Sequence, residues 1–198
     1  MRISIRTPDW SSLADSVHLG AAAELVYESF PEFYDTLSHD HEAIRNNIIR
    51  QLRDSDSELG DSVILTIGES MAGISIHYAS DEMKATQLAS LRHLIAVSNP
   101  RPNMLDGLRS FKELVERIEL PRYAYWARLG VRTEFRRLAV ASMISSAMEY
   151  DSRSRHFEYI CAHVNRDNGA SMKMQTGRGF QRISEAGSQF VALAKRIR

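Results

Sequence analysis

The sequence predicts an α/β fold: one mixed, mostly antiparallel central sheet flanked by helices. Three observations carry this expectation. Short β-rich runs with alternating apolar residues are spread along the whole chain. Amphipathic segments with apolar residues at three- and four-residue steps lie between them. The stretch from Tyr123 onward reads strand, loop, helix, strand, helix, strand without interruption.

The elements follow in order. Ile3 and Ile5 alternate with Arg2, Ser4 and Arg6, which predicts a first strand ended by Thr7-Pro8-Asp9. Ala14 to Phe30 reads as one helix, with Leu19, Ala22, Ala23, Val26, Tyr27 and Phe30 on one stripe and Pro31 breaking it. A second helix is expected over His41 to Arg53, with Ile44, Ile48, Ile49 and Leu52 inward. Asp54 to Asp61 is a polar loop. Ser62 to Ile67 and Ile74 to Ala79 form an antiparallel hairpin through a turn at Gly68 to Gly73.

Ser80 to Arg122 is helical in two parts, parted by Asn99-Pro-Arg-Pro102. The expected apolar faces are Leu88, Leu91, Leu94 and Ile95, then Leu105, Leu108, Phe111, Leu114, Val115 and Ile118. Tyr123 to Val131 is a long strand. Thr133 to Ala139 opens a helix that turns Val140, Met143, Ile144, Ala147 and Met148 inward. His156 to Val164, Phe180 to Ile183 and Gln189 to Ile197 are strands, and Asn168 to Thr176 is a short helix stopped by Gly177-Arg-Gly179. No linker composition divides the chain, so residues 1–198 read as one domain.

Composition narrows the function. Of 198 residues 43% are hydrophobic, enough for a sizeable core. The 25 basic and 25 acidic side chains cancel, so no net charge draws the protein to nucleic acid or to an anionic membrane. No apolar run approaches the ~20 residues of a membrane span, and the start of the chain reads as a strand rather than a signal peptide. A soluble cytoplasmic protein is expected. The single cysteine, Cys161, excludes an internal disulfide and a multi-cysteine zinc site, and reads as a small buried hydrophobe. His39 and His41 flank Asp40 and precede Glu42, but residues at a helix start explain them, and no metal is expected.

The chemistry concentrates in Leu129-Gly-Val-Arg-Thr-Glu-Phe-Arg-Arg-Leu-Ala-Val-Ala141. The first turn of a helix exposes unpaired N–H groups at the positive end of its dipole. Small residues at Ala139, Ala141 and Ser142 leave room for a diphosphate, and Arg136 and Arg137 add charge. On local chemistry this is either a pyrophosphate cradle or a plain helix start with two exposed arginines. No Walker loop and no G-x-G-x-x-G is present.

The same stretch resembles the acyl-CoA-binding motif of the GNAT N-acetyltransferases, V-x-P-E-Y-R-G-x-G-x-G/A. Val131, Glu134, Phe135, Arg136, Val140 and Ala141 fit it. Thr133 stands for proline, and Arg137 and Ala139 stand for glycines. A second family motif, V-x-x-x-N-x-x-A-x-x-x-Y-x-K-x-G-F, is matched at Val164, Asn168, Gly179 and Phe180, with Ser171, Gln175 and Gly177 as departures. The resemblance covers Tyr123 to Phe180 well and Met1 to Ala79 loosely. It leaves Ser80 to Arg122 as a helical insertion between the third and fourth strands, a lid over the acceptor side, a subunit interface of a homodimer, or simple extra packing.

The resemblance implies an N-acyltransferase that passes an acyl group, acetyl first of all, from acyl-CoA to a small-molecule or peptide amine by direct attack. It implies a CoA site at Leu129, Gly130, Val131, Arg136, Arg137, Leu138, Ala139, Val140, Ala141 and Ser142, with Asn168 and Ser171. A backbone N–H near Leu129 to Val131 would hold the thioester carbonyl. His163 takes the place of a glutamate base in ribosomal-protein acetyltransferases, with a reference pKa near ~6.5. Tyr125 holds the place of the base in histone-type members and is expected to wall the acceptor pocket. Gln175 replaces the tyrosine that usually protonates the thiolate. Arg153 and Arg155 would be a solvated helix end or meet the CoA 3′-phosphate. A non-catalytic acyl-CoA sensor and a long-chain N-acyl amino acid synthase using acyl-CoA or acyl carrier protein are the alternatives.

Overall fold

The computed structural model describes residues 2–184 and 189–198, without the side chains of Phe111, Leu114 and Ser184. The elements are β1 (Ile3–Arg6), α1 (Leu13–Ser16), α2 (Leu19–Ser29), α3 (Pro31–Tyr34), α4 (His41–Arg53), β2 (Ser62–Ile67), β3 (Ser70–Ala79), α5 (Met83–Ile95), α6 (Met104–Glu116), β4 (Tyr123–Val131), α7 (Val140–Ser154), β5 (Tyr159–Asn165), α8 (Gly169–Gly177), β6 (Gln181–Ser184) and β7 (Phe190–Arg196). The strands form one sheet in the order β1-β2-β3-β4-β5-β7-β6. Among the described strands only β4 and β5 pair in parallel. The expected mixed α/β architecture is therefore present.

Helix α2 lies on one face of the sheet and α7 on the other. A β-carbon on Gly130 would meet Leu25 O of α2 at 2.7 Å, and one on Gly73 would meet Ile144 Cδ1 of α7 at 2.7 Å. Glycine at these two positions lets each helix approach the strands closely. Leu19, Ala22, Ala23 and Val26 bury the predicted stripe of α2 against Ile74 and Ile76. Val140, Ile144 and Met148 do the same for α7.

Several boundaries differ from the sequence reading. The helix expected over Ala14 to Phe30 is divided at Val17–His18. Ser12 caps α1 through Asp15 N–H, and the Asp15 carboxylate is tied to Arg6 of β1 and to Asp9 N–H, while the Leu19 stripe is tied to the sheet. Pro31 does not end the helical run. It opens α3 at the first position, where its missing N–H costs nothing. The β2–β3 turn is only Gly68-Glu69, with Gly68 at φ +63°, and β3 already begins at Ser70. β5 begins at Tyr159 rather than His156. Helix α4 has the predicted bounds, and its cap is Asp40, whose side chain accepts from Ala43 N–H. His41 pairs with Glu24 and packs edge-on to Tyr27.

The insertion forms two helices, but its packing differs in detail. Leu94 and Leu108 are buried as expected, whereas Leu88, Ile95 and Leu105 are exposed. The expectations for Phe111 and Leu114 fall outside the described side chains. α5 lies against α4, with Asn47 Nδ2 donating to His93 O and His93 paired with Asp54 at 2.7 Å. Ser38 Oγ donates to Asn99 O at 2.7 Å and holds the link between the two helices. No described helix is long and apolar enough to cross a membrane.

Candidate active site at the parting of β4 and β5

β4 and β5 pair at Tyr123–Tyr159, Ala124–Ile160 and Tyr125–Cys161, and the pairing stops there. Beyond Tyr125 the two strands diverge and leave a V-shaped gap. A bulge marks the same place. Ile76 opposes Arg128 and His77 opposes Trp126, so Ala127 is an extra residue on β4. A bulge bends its strand and raises its twist, which turns β4 away from β5.

The bulge sets which groups face the gap. Arg132 N–H donates to Ala72 O of β3 at 3.0 Å. In an antiparallel ladder the bonding side alternates, so Gly130 and Arg128 also bond toward β3. The N–H groups of Leu129 and Val131 therefore point into the gap. They are unspent donors on an inner strand, placed where a carbonyl oxygen can reach them.

The gap opens into a cavity of about 460 Å³. It is lined by β4 from Tyr125 to Val131, by Ala162 to Asn165 of β5, and by residues of α2, α3 and α8. Among the predicted site residues, Tyr125, Leu129, Gly130, Val131, Arg136, Ala141, His163, Asn168, Ser171 and Gln175 all line it. Arg137, Leu138, Ala139, Val140 and Ser142 do not line its wall; they form the loop and first turn at its mouth.

That loop carries strain. Arg137 has φ +76° and Ala139 φ +58°. Arg137 and Ala139 stand where the family motif has glycines, and both adopt the conformation that glycine adopts freely, at about 1–2 kcal/mol each for a residue with a β-carbon. The consequence lies in the next residues. Ala139 caps α7 with no side-chain hydrogen bond, and the first in-helix bond is Met143 N–H to Ala139 O. The N–H groups of Val140, Ala141 and Ser142 are left at the positive end of a 15-residue helix. Val140 contributes only its backbone, because its side chain is core. Arg136 folds back to Val131 O at 3.3 Å along the cavity edge. Ser142 Oγ accepts from Arg178 at 3.2 Å, which fixes a second guanidinium beside this turn.

Arg153 and Arg155 are at the far end of α7, roughly 20 Å from its N-terminus by helical rise. Arg153 pairs with Glu149, and Arg155 meets Asp61, Glu82 and Asp151 and covers the Phe157 ring. They are structural, and the phosphate contact considered for them is corrected.

Tyr125 and His163 form one unit on the α2 face. Tyr125 Oη lies 3.0 Å from His163 Nδ1, while Nε2 is buried without a hydrogen-bond partner. Burial pushes His163 down to about 4, so the ring is neutral at physiological pH, and the titration expected near the histidine reference value is corrected. Burial also raises the Tyr125 hydroxyl, which stays protonated. Cys161, next on the same face, is pushed up to about 12 by burial and packs as a small apolar residue.

On the α7 face, Gln175 is 4% exposed and its Oε1 has no partner. Asn168 spends its side-chain oxygen on Ser171 N–H at 3.0 Å, capping α8. The closed end of the gap is filled by Trp126. Its indole N–H donates to Ser75 Oγ at 2.7 Å and to Arg128 O at 3.1 Å.

The structure also brings in residues that the sequence reading did not single out. Phe30 and Phe190, edge to face at 5.4 Å, line the acceptor side together with Pro31 and Arg128. The Arg128 guanidinium is buried and lies 4.9 Å from the Phe30 ring centre. One signal was available: Arg128 is the only charged residue in the otherwise apolar run Tyr123 to Val131. Among the described side chains none of 80–122 lines the cavity, so nothing there supports the lid expected of the insertion.

A sheet whose central parallel pair parts at a bulge, beside an uncapped helix start, is the architecture of the GNAT-superfamily acetyltransferases, and the chain has that fold. It is similar to a solved acetyltransferase with 16% identity and a TM-score of 0.68, covering 98% of this chain and 100% of the other. It is similar to an N-acetyltransferase from Staphylococcus aureus Mu50 with 14% identity and a TM-score of 0.70, covering 97% and 100%. A third likeness is to the PaiA N-acetyltransferase from Thermoplasma acidophilum in complex with coenzyme A, at 14% identity, a TM-score of 0.57 and 99% of both chains. No protein-family model and no curated protein sequence matches the chain.

Proposed function

We propose that the chain transfers an acyl group from acyl-CoA to a primary amine by direct attack in a ternary complex. One observation carries the reading: the gap between β4 and β5 presents two unspent N–H groups and runs into the uncapped N-terminus of α7. An acyl donor with a diphosphate at one end and a thioester at the other matches those two features. The N–H groups of Val140, Ala141 and Ser142, with Arg136, bind the diphosphate. The N–H of Leu129 or Val131 holds the thioester oxygen and the negative charge that develops on it. CoA-bound neighbours of the same fold support this choice of donor.

In the reaction the amine nitrogen forms a bond to the thioester carbon and the carbon–sulfur bond breaks. The ammonium proton leaves through water at the cavity mouth, where Glu28 and Glu32 are exposed. Gln175 offers the departing sulfur a hydrogen bond but no proton, so the thiolate is protonated by water. The Trp126 indole, held by two hydrogen bonds at the closed end, supports a short acyl group, acetyl above all, over a long chain. The loss of the usual tyrosine at Gln175 favours a second reading, a domain that binds acyl-CoA without turnover.

Free-thiol release from acetyl-CoA in the presence of a panel of primary amines tests the function. Amine-dependent release with a mass-identified N-acetyl product is expected. Release that no amine stimulates, in a protein that binds CoA, selects the sensor reading.

A further inference from the structure

Side chains from the two diverging walls meet again over the acceptor side of the gap. Deepest is the hydrogen bond of 3.0 Å between Tyr125 of β4 and His163 of β5. Farther out, the Phe30 ring at the α2–α3 corner meets the Phe190 ring at the start of β7, edge to face, with centroids 5.4 Å apart. Outermost, Asn165 Nδ2 at the end of β5 donates to Glu32 Oε1 of α3 at 3.2 Å. Exposure rises in that order, from buried Tyr125 through two half-buried rings to exposed Glu32. All six residues line the same cavity.

The two outer contacts form a strap between well-held elements. Phe30 ends α2 and precedes Pro31, whose ring fixes φ at the first position of α3. The Phe30 ring stacks on Phe33 with centroids 5.5 Å apart, and the Arg128 guanidinium lies 4.9 Å from its centre. On the other wall, Asn165 and Phe190 are register partners in the β5–β7 ladder, and Arg166 N–H donates to Gln189 O at 2.9 Å. The strap therefore joins a packed helix corner to a paired strand end.

Sizes decide what passes it. Aromatic rings with centroids about 4.5–7 Å apart are in contact, so nothing threads between Phe30 and Phe190. The hydrogen bond closes the space between Glu32 and Asn165 in the same way. A polypeptide main chain keeps about 4.8 Å from a neighbour on each side, so two walls must stand roughly 9–10 Å apart to admit one. A polypeptide whose N-terminal nitrogen reached the thioester would have to lead its main chain out across this strap. A small amine ends inside the cavity, whose volume of about 460 Å³ suits a small ligand.

We propose that the acceptor is a small-molecule primary amine rather than the N-terminus of a polypeptide, and that the strap of Phe30–Phe190 and Glu32–Asn165 is what excludes the polypeptide. The proposal rests on the acyl-transfer reading above and names its substrate class.

Two pools at equal total amine test it with the full-length protein and saturating acetyl-CoA. One holds small primary amines: alkylamines, arylalkylamines, diamines and free amino acids. The other holds lysine-free decapeptides with degenerate first residues. Mass spectrometry reads the N-acetyl products. Acetylation of the small amines is expected to exceed that of the peptides by at least about tenfold, because a built-in clash rejects every peptide alike. Phe190→Ala removes one ring of the strap and is expected to abolish most of that preference. Glu32→Ala removes an exposed side chain, leaves the core untouched and is expected to narrow the preference by less. Peptide acetylation equal to or above that of the small amines would overturn the proposal while leaving acyl transfer intact. A preference that neither variant moves would overturn the strap as its cause. Thiol release that neither pool stimulates would defeat the acyl-transfer reading, and the proposal with it.

Discussion

Ala139→Glu separates the phosphate site from the stability of the fold. Ala139 is exposed at φ +58° just before α7, and the three N–H groups that follow it have no acceptor in the helix. A glutamate there adds a negative charge at the point where a diphosphate must approach. Two unit charges ~5 Å apart repel by about 1 kcal/mol in water and about 3 kcal/mol at the effective dielectric of a protein surface. Each phosphate charge therefore raises the Kd for CoA by about fivefold in the weaker limit and by over about a hundredfold in the stronger, and the two together are expected to remove most of the binding. The same carboxylate sits at the positive end of the helix dipole, where it contributes about 0.3–1 kcal/mol of stability. The variant is expected to keep or slightly raise its Tm while losing CoA binding. Isothermal calorimetry with CoA and a thermal melt read the two effects separately. An unchanged Kd in a folded variant would refute the assignment of the phosphate site, and a lowered Tm would refute the helix-start electrostatics.

Other perturbations follow from the same structure. The folded pKa of His163, about 4, lies below the unfolded value near 6.5, so the unfolded chain binds the extra proton between these limits. Its contribution is constant above pH ~6.5, and stability falls as pH drops from there toward 4, by up to about 1.4 kcal/mol per pH unit. His163→Gln should remove that part of the slope in urea melts, and a resonance assigned to His163 that titrates near ~6.5 would contradict it. Gly130→Ala should force α2 off β4, because the new methyl meets Leu25 O at 2.7 Å and Leu25 Cβ at 2.9 Å. A loss of about 1–3 kcal/mol is expected, seen as a lower denaturant midpoint, and an unaltered midpoint would argue against this packing. Cys161 should resist maleimide at pH 7.5 in the folded protein and react on unfolding, since it is buried and its thiol is pushed up to about 12. Rapid labelling of the native chain would show that this part of the sheet opens.

Much of the fold is written in periodicity. The stripe of α4, the strand Tyr123 to Val131 and the inward row of α7 each bury the residues that spacing selects, because burial of an apolar face dominates those elements. The loop from Thr133 to Ala139 was legible as a motif, but not its conformation. Arg137 and Ala139 adopt left-handed geometry that nothing in their side chains demands, and only the position of the neighbouring strand and helix imposes it. The exposure of Leu88 and Ile95 on α5 had the same origin. Their spacing is helical, but the face that packs is chosen by α4 and by the Asn47–His93 and Asp54–His93 contacts, which link segments far apart in sequence. The acceptor wall was the least legible part. Phe30, Arg128 and Phe190 come from three separated elements and meet only through sheet order. The neutral state of His163 was equally hidden, since it follows from burial once the strands and helices assemble around it.

The central claim is that an acyl-CoA lies in the gap between β4 and β5 with its diphosphate on the first turn of α7. A crystal structure of the protein with a non-hydrolysable acetyl-CoA analogue measures this directly. The diphosphate is expected within hydrogen-bond distance of the N–H groups of Val140, Ala141 and Ser142, and the carbonyl oxygen replacing that of the thioester at about 3 Å from the N–H of Leu129 or Val131. An analogue bound elsewhere, or a carbonyl turned away from β4, would contradict the account.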